Sequence, residues 1–179
     1  MTESCNRRTG TVGVTLGLVM LFLAAAAAEA REGLYLGAEM VFASIGGTAN
    51  AGGSISKGDG VGVTGGYGIN RYAAVQASTW STSHNTSDGR TVDLQAAQLE
   101  MMATFPIARS HVEPYLIFGI GKYRLDTSRG DGWSLGAGMD IGLAPSFSLS
   151  LGIARHAVGF GTGQGQSGDV TSMTVGLVY

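Results

Sequence analysis

The nine residues Thr171 to Tyr179, TSMTVGLVY, keep strict alternation up to an aromatic final residue. Thr171, Met173, Val175, Leu177 and Tyr179 fall on one side of a strand. Ser172, Thr174, Gly176 and Val178 fall on the other. A soluble domain gains little from such an end, because chain termini fray unless something ties them down. A closed barrel in a membrane requires it. The last strand must pair with the first, since lipid satisfies no backbone donor or acceptor.

The same period recurs along the chain. Gly33 to Ile45 sets Leu34, Leu36, Ala38, Met40 and Phe42 against Tyr35, Gly37, Glu39 and Val41. Gly60 to Ile69 and Tyr72 to Ser81 repeat it, the second with Gln76, Ser78 and Trp80 on the small or polar side. Thr91 to Phe105 opposes Ala97, Leu99, Met101 and Ala103 to Gln98, Glu100, Met102 and Thr104. Glu113 to Arg124, Gly132 to Leu143 and Phe147 to Val158 follow. With the terminal segment these make eight predicted strands, each near the length a tilted strand needs to cross a bilayer. The expected fold is all-β: an eight-stranded antiparallel up-and-down transmembrane barrel with short periplasmic turns.

Composition supports a membrane strand architecture over a soluble one. Charged residues make up 13% of the chain, about half the usual share of roughly 25%. After residue 30 no apolar run is long enough for a membrane helix. The 30 glycines follow no collagen period, and many sit on the polar face, where a narrow barrel has little interior volume. A formal charge of −2 gives no reason to expect nucleic acid as a partner.

The N-terminus reads as an export signal. Arg7 and Arg8 precede an Ala-rich apolar stretch from Thr11 to Ala28, and Ala28-Glu29-Ala30 is a small-x-small cleavage pattern. Cleavage after Ala30 leaves a single domain, residues 31–179. The rival is an uncleaved membrane helix, for which the stretch is near the lower length limit. Cys5 is the only cysteine and lies ahead of the apolar stretch, so the mature chain has no disulfide or cysteine metal site.

Connections alternate in character. Asn70-Arg71, Pro106 to Val112 and Ala144 to Ser146 are turns on the side of the termini. Gly46 to Asp59, Thr82 to Arg90, Leu125 to Asp131 and Gly159 to Gly168 lie opposite. Aromatics cluster at strand ends: Tyr35, Tyr67, Tyr72, Phe105, Tyr115, Phe147 and Tyr179 at one end, Phe42, Trp80, Tyr123, Trp133 and Phe160 at the other. Two interfacial belts produce that arrangement, whereas a soluble ligand-binding barrel turns many aromatics inward around a cavity.

In GLYLGAEM (Gly33 to Met40), GVTGGYGIN (Gly62 to Asn70), EPYLIFGIGKYR (Glu113 to Arg124), WSLGAGMDIGL (Trp133 to Leu143) and the aromatic-ended last strand, the chain resembles the small eight-stranded outer-membrane barrels of the opacity-protein and OmpA-like type. The resemblance spans essentially the whole mature chain. It implies a location in the bacterial outer membrane. The implied surroundings are outer-membrane lipid and lipopolysaccharide, with the barrel-assembly machinery as partner during biogenesis. Met173, Val175, Leu177 and Tyr179 would then serve as the C-terminal assembly signal. No cell-wall-binding domain is expected after the barrel, and the outer connections are short for an adhesin.

Alternation turns Glu39, Gln98, Glu100, Asp140 and His156 inward, and the expected role is a structural polar network filling a narrow lumen. Lys122, Arg124 and Arg155 would be cationic partners only if a bulge changed their outward phase. The chain also resembles the layout of barrel-form lipid A deacylases, which carry a serine two residues after a strand histidine; here Ala157 and Val158 follow His156. No metal-ligand spacing links His84, His111 and His156, no phosphate loop follows the glycine runs, and no cofactor is expected. Three functions remain on the sequence: a non-catalytic structural or surface-interaction barrel, a narrow solute pore, and a lipid A-modifying enzyme. Eight strands leave little room for a channel, which favours the first.

Overall fold

The computed structural model describes residues 32–47, 57–87, 89–160 and 166–179; the export signal, residues 48–56 of the first outer connection and residues 161–165 of the last lie outside the described residues. Eight strands follow one another: β1 (Gly33–Gly47), β2 (Gly58–Asn70), β3 (Ala73–Asn85), β4 (Thr91–Thr104), β5 (Val112–Leu125), β6 (Ser128–Ala144), β7 (Phe147–Phe160) and β8 (Gln166–Val178). Each is antiparallel to its sequence neighbour, and β8 pairs with β1 to close the barrel.

The register sets the shape. Following paired residues around the wall leads from Gly37 through Thr64, Ser78, Gln98, Gly121, Gly132, Val158 and Gly168 to Gly47. The circuit returns to β1 ten residues further along, from position 37 to position 47. With about 3.3 Å per residue and about 4.8 Å between strands, that stagger tilts the strands by roughly 40°. The shortest strands have 13 residues and so rise about 33 Å along the axis, enough for an apolar band of about 25 Å.

The outer wall is apolar. Leu34, Met40, Val61, Leu99, Met101, Phe118, Ile120, Leu135, Ile153, Met173 and Leu177 are all exposed, far more apolar surface than a soluble monomer presents. Lipid is the solvent this face requires. Towards the outer end the lumen is mostly apolar: Val41, Ile45, Leu94, Val158, Phe160 and Val170 pack into one buried cluster with Trp80 and Tyr123, and the buried Thr82 and His84, 2.9 Å apart, are hydrogen-bonded at the same end. The other buried polar side chains gather below it, nearer the termini.

Glycines make the interior possible by facing large side chains. A Cβ at Gly62 would meet Glu39 Oε1 and Trp80 Cβ, each at 2.9 Å. One at Gly119 would meet Glu100 Cγ at 2.7 Å, and one at Gly121 would meet Gln98 Cγ at 2.8 Å. Tyr35 lies over Gly66, and Tyr115 over Gly138 and Gly152. Each bulky or polar inward residue thus occupies volume that a neighbouring strand leaves empty.

Several details differ from the sequence expectations. The connection expected over Thr82 to Arg90 starts only after Asn85, because β3 runs on to that residue. Trp80, Tyr123 and Phe160 are buried in the lumen, at 5%, 2% and 4% exposure, so they do not belong to the outer aromatic belt; Phe42 and Trp133 do face out. Tyr35 and Tyr115 also turn inward. The connection expected over Leu125 to Asp131 shrinks to Asp126 and Thr127, because β6 begins at Ser128. Asp126 takes a φ of 51° there, a left-handed conformation that Asp tolerates in tight hairpins.

Candidate lumen site

Four of the five expected lumen residues are buried below the apolar cluster: Gln98 and Glu100 at 6% exposure, Asp140 at 5% and His156 at 2%. Glu39 is half-buried on the same inner face. Gln98, Glu100 and His156 fall into one hydrogen-bonded chain. Tyr35 OH donates to Gln76 Oε1 (2.8 Å), and Gln76 Nε2 donates to Glu100 Oε2 (2.9 Å). Ser78 Oγ donates to the same carboxylate oxygen (3.0 Å) and approaches Gln98 Oε1 (3.4 Å). Trp80 Nε1 donates to Gln98 Oε1 (3.2 Å). The Gln98 nitrogen meets Tyr123 OH (2.7 Å) and His156 Nδ1 (3.0 Å). His156 Nδ1 also lies 3.0 Å from Tyr123 OH, and its Nε2 lies 2.8 Å from Ser172 Oγ. Glu39 sits within electrostatic range of Glu100. Asp140 stands further towards the termini, paired in register with Glu113 of β5 and Ser150 of β7.

One donor orients this chain. An indole N–H can only donate, so Trp80 fixes the Gln98 oxygen on its side and the amide nitrogen towards Tyr123 and His156. The Gln98 nitrogen, a donor only, faces both Tyr123 OH and His156 Nδ1, so both accept from it. With Nδ1 accepting, the imidazole proton sits on Nε2 and is donated to Ser172 Oγ. A histidine acting as general base must do the opposite, accepting the serine proton at that nitrogen. Ser172 and His156 are in contact, but the hydrogen-bond direction does not activate the hydroxyl.

Ser172 escaped the sequence reading because it lies on β8, diagonal to His156 across the β7–β8 ladder, where His156 pairs with Val170 and Ala154 with Ser172. No linear spacing marks it. The position two residues after His156 is Val158, buried at 2% in the apolar cluster. Trp80 and Tyr123 were legible in phase, since each shares its strand's inward set. Lys122, Arg124 and Arg155 keep the outward phase that simple alternation gives and stay exposed. They are not partners of the lumen acids; Arg155 pairs instead with Asp169 at 2.8 Å on the outer surface. Among the described residues, no three His, Cys, Asp or Glu side chains cluster as metal ligands.

Beneath the chain lies a cavity of about 140 Å³. Tyr35, Glu39, Glu100, Tyr115, Asp140 and His156 are among its lining residues, and its mouth is at the end of the termini, beside Gly33, Ser146 and Tyr179. The lumen is therefore a cup, open at one end and capped by Val41, Ile45, Leu94, Val158, Phe160 and Val170 at the other.

The chain should be sensitive to loss of its central amide. Gln98→Leu removes the acceptor of Trp80 and the donor to Tyr123 and His156 while keeping side-chain volume. Stranding buried polar groups costs about 1–3 kcal/mol each, so a loss of about 3 kcal/mol is expected in urea unfolding of the barrel in lipid vesicles. Conservative loss at the rim, Arg71→Gln, should leave the transition in place.

The sequence model of the outer membrane protein beta-barrel domain matches residues 13–179. No curated protein shows a significant sequence match. Among solved structures, the Neisserial surface protein A (NspA) superposes with a TM-score of 0.68 at 16% identity, over 82% of this chain and 96% of that one. OprG of Pseudomonas aeruginosa superposes with a TM-score of 0.56 at 11% identity, over 87% and 98%. Ail of Yersinia pestis does so with a TM-score of 0.51 at 14% identity, over 83% and 99%; Ail has also been solved with the heparin analogue sucrose octasulfate. The closed barrel, its lipid-facing wall and the match over nearly the whole chain agree: this is a bacterial outer-membrane protein, and the chain belongs to the outer-membrane β-barrel family.

Proposed function

We propose that the protein is a non-catalytic barrel with a structural or surface-interaction role in the envelope, exported by a signal peptide cleaved after Ala30. The observation that carries this reading is the two-layer lumen. A largely apolar cap, with Thr82 and His84 as its one buried polar pair among the described residues, fills its outer half, and an oriented hydrogen-bond chain fills the part below. A pore needs a continuous polar path, and the cap interrupts it. A serine hydrolase needs an unprotonated histidine nitrogen facing the serine, and His156 presents the proton there. Its surroundings are outer-membrane lipid with lipopolysaccharide in the outer leaflet. The face of β8 carrying Met173, Val175, Leu177 and Tyr179 serves as the signal to the assembly machinery.

Two measurements test this. The purified barrel in planar bilayers should show no steady single-channel conductance; stable ohmic steps would favour the pore. Lipid A from strains carrying the wild type and His156→Ala should have identical acyl patterns by mass spectrometry, and an acyl-chain difference would favour the enzyme.

A further inference from the structure

Three cations stand together on the lipid-facing wall at the outer ends of β5 and β6. Lys122 and Arg124 share the outward phase of Phe118 and Ile120, and Arg129 shares that of Trp133 and Leu135; all three are exposed. The register makes Arg124 and Arg129 direct cross-strand partners. Like charges so placed, with Cβ atoms about 4.5–5.5 Å apart, destabilise a sheet, unless an anion lies between them. Lys122 is paired in register with Asp131, and Arg155, on β7, is neutralised by Asp169. Among the described residues neither arginine has an acid as its direct ladder partner: Arg124 pairs with Gln95 and Arg129, while Asp93 and Asp131 lie on the diagonals of Arg124. Arg124 Nε donates to the main-chain oxygen of Asp126 (2.8 Å), which fixes the guanidinium stem and leaves its terminal nitrogens to turn outward.

Their depth selects the anion. The β5–β6 connection is only Asp126 and Thr127, so the cations sit on the wall itself and not on a loop above it. Trp133 lies opposite Ile120, one pleat below Lys122, and is 49% exposed; such an aromatic marks the membrane interface. Ile120 and Leu135, exposed at 58% and 55%, continue the apolar wall beneath. A ligand that meets both features carries phosphate at the head and acyl chains below. Guanidinium pairs recognise phosphate in bidentate geometry.

We propose that Arg124, Arg129 and Lys122 clamp the phosphate groups of an outer-leaflet glycolipid whose acyl chains lie along Ile120, Trp133 and Leu135. This rests on the outer-membrane reading above, with the β5–β6 hairpin on the outer side. The test is native mass spectrometry of the detergent-purified mature barrel with lipid A bearing both phosphates. A one-to-one complex is expected. Dephosphorylated lipid A should bind at least tenfold more weakly, and so should intact lipid A to the Lys122→Gln, Arg124→Gln, Arg129→Gln triple variant. Arg71→Gln, at the opposite end of the barrel, should bind as wild type does.

Equal binding by the triple variant, equal binding of dephosphorylated lipid A, or an equal loss in Arg71→Gln overturns the clamp. Displacement of the lipid by inorganic phosphate or a polysulfated oligosaccharide at the same concentration also overturns it, showing a general anion patch instead. A heat-modifiable gel shift reports folding. If the triple variant lacks it, the single variants Arg124→Gln and Arg129→Gln decide, each expected to weaken binding several-fold. Failure of the wider reading shows separately, as absence of the wild-type protein from the outer-membrane fraction.

Discussion

Deleting Val175 to Tyr179 should abolish assembly of the barrel. These residues close the wall on two sides at once. Tyr179 N donates to Leu36 O (2.8 Å) and Leu36 N donates to Tyr179 O (2.9 Å). Val178, Leu177, Gly176 and Val175 pair with Gly37, Ala38, Glu39 and Met40 of β1, and with Ser148, Leu149, Ser150 and Leu151 of β7. The Tyr179 ring also packs against Phe147, centroids 4.9 Å apart. Truncation exposes two strand edges in hydrocarbon, where each unpaired backbone group costs several kcal/mol. The sum over both edges exceeds the roughly 5–15 kcal/mol that holds an ordinary domain folded. The expected result is loss of the heat-modifiable, protease-resistant band. Deleting two residues from the 161–165 connection should leave that band intact. A truncated chain that still gives it would show that closure does not depend on these pairs.

Period-two alternation made the wall legible because lipid demands one uniformly apolar face. Phase sorts each strand into two sets, and the small glycine-rich set identifies the narrow interior. The outer strand ends were harder to read. β3 runs on through Thr82, Ser83, His84 and Asn85, where both faces are polar and alternation carries no contrast. β6 begins at Ser128, several residues before the expected Gly132. Trp80 and Tyr123 illustrate a second limit: position near a strand end suggested a membrane belt, but their inward phase governs, and a buried N–H or O–H finds its partner in the lumen. The hydrogen-bond chain itself was beyond reading. Gln98 and His156 are 58 residues apart, and only the ten-residue stagger of the closed sheet brings them together.

The glycines supply the other large effect. Gly60→Val should come close to preventing folding, Gly66→Ala should cost a moderate amount, and Gly159→Ala should be nearly neutral. The order follows from what each new Cβ meets. At Gly60 it runs into the backbone of Ser81 and Thr82 on the paired strand, so β3 itself must move, and the Val methyls add to the collision. Overpacking a well-filled interior costs about 1–3 kcal/mol when side chains can absorb it; a displaced strand in a closed barrel has no free edge to move towards, so a larger cost is expected here. At Gly66 the obstacle is the far end of Tyr35. That ring can swing away, at the expense of its hydrogen bond to Gln76, worth about 1 kcal/mol. At Gly159 the nearest atom is Asp131 O at 3.8 Å, an ordinary contact. Folding yield into lipid vesicles, followed by the urea midpoint of whatever folds, ranks the three. If Gly60→Val and Gly159→Ala fold with equal yield and midpoint, the narrow lumen is not what the glycines are for, and their abundance needs another cause.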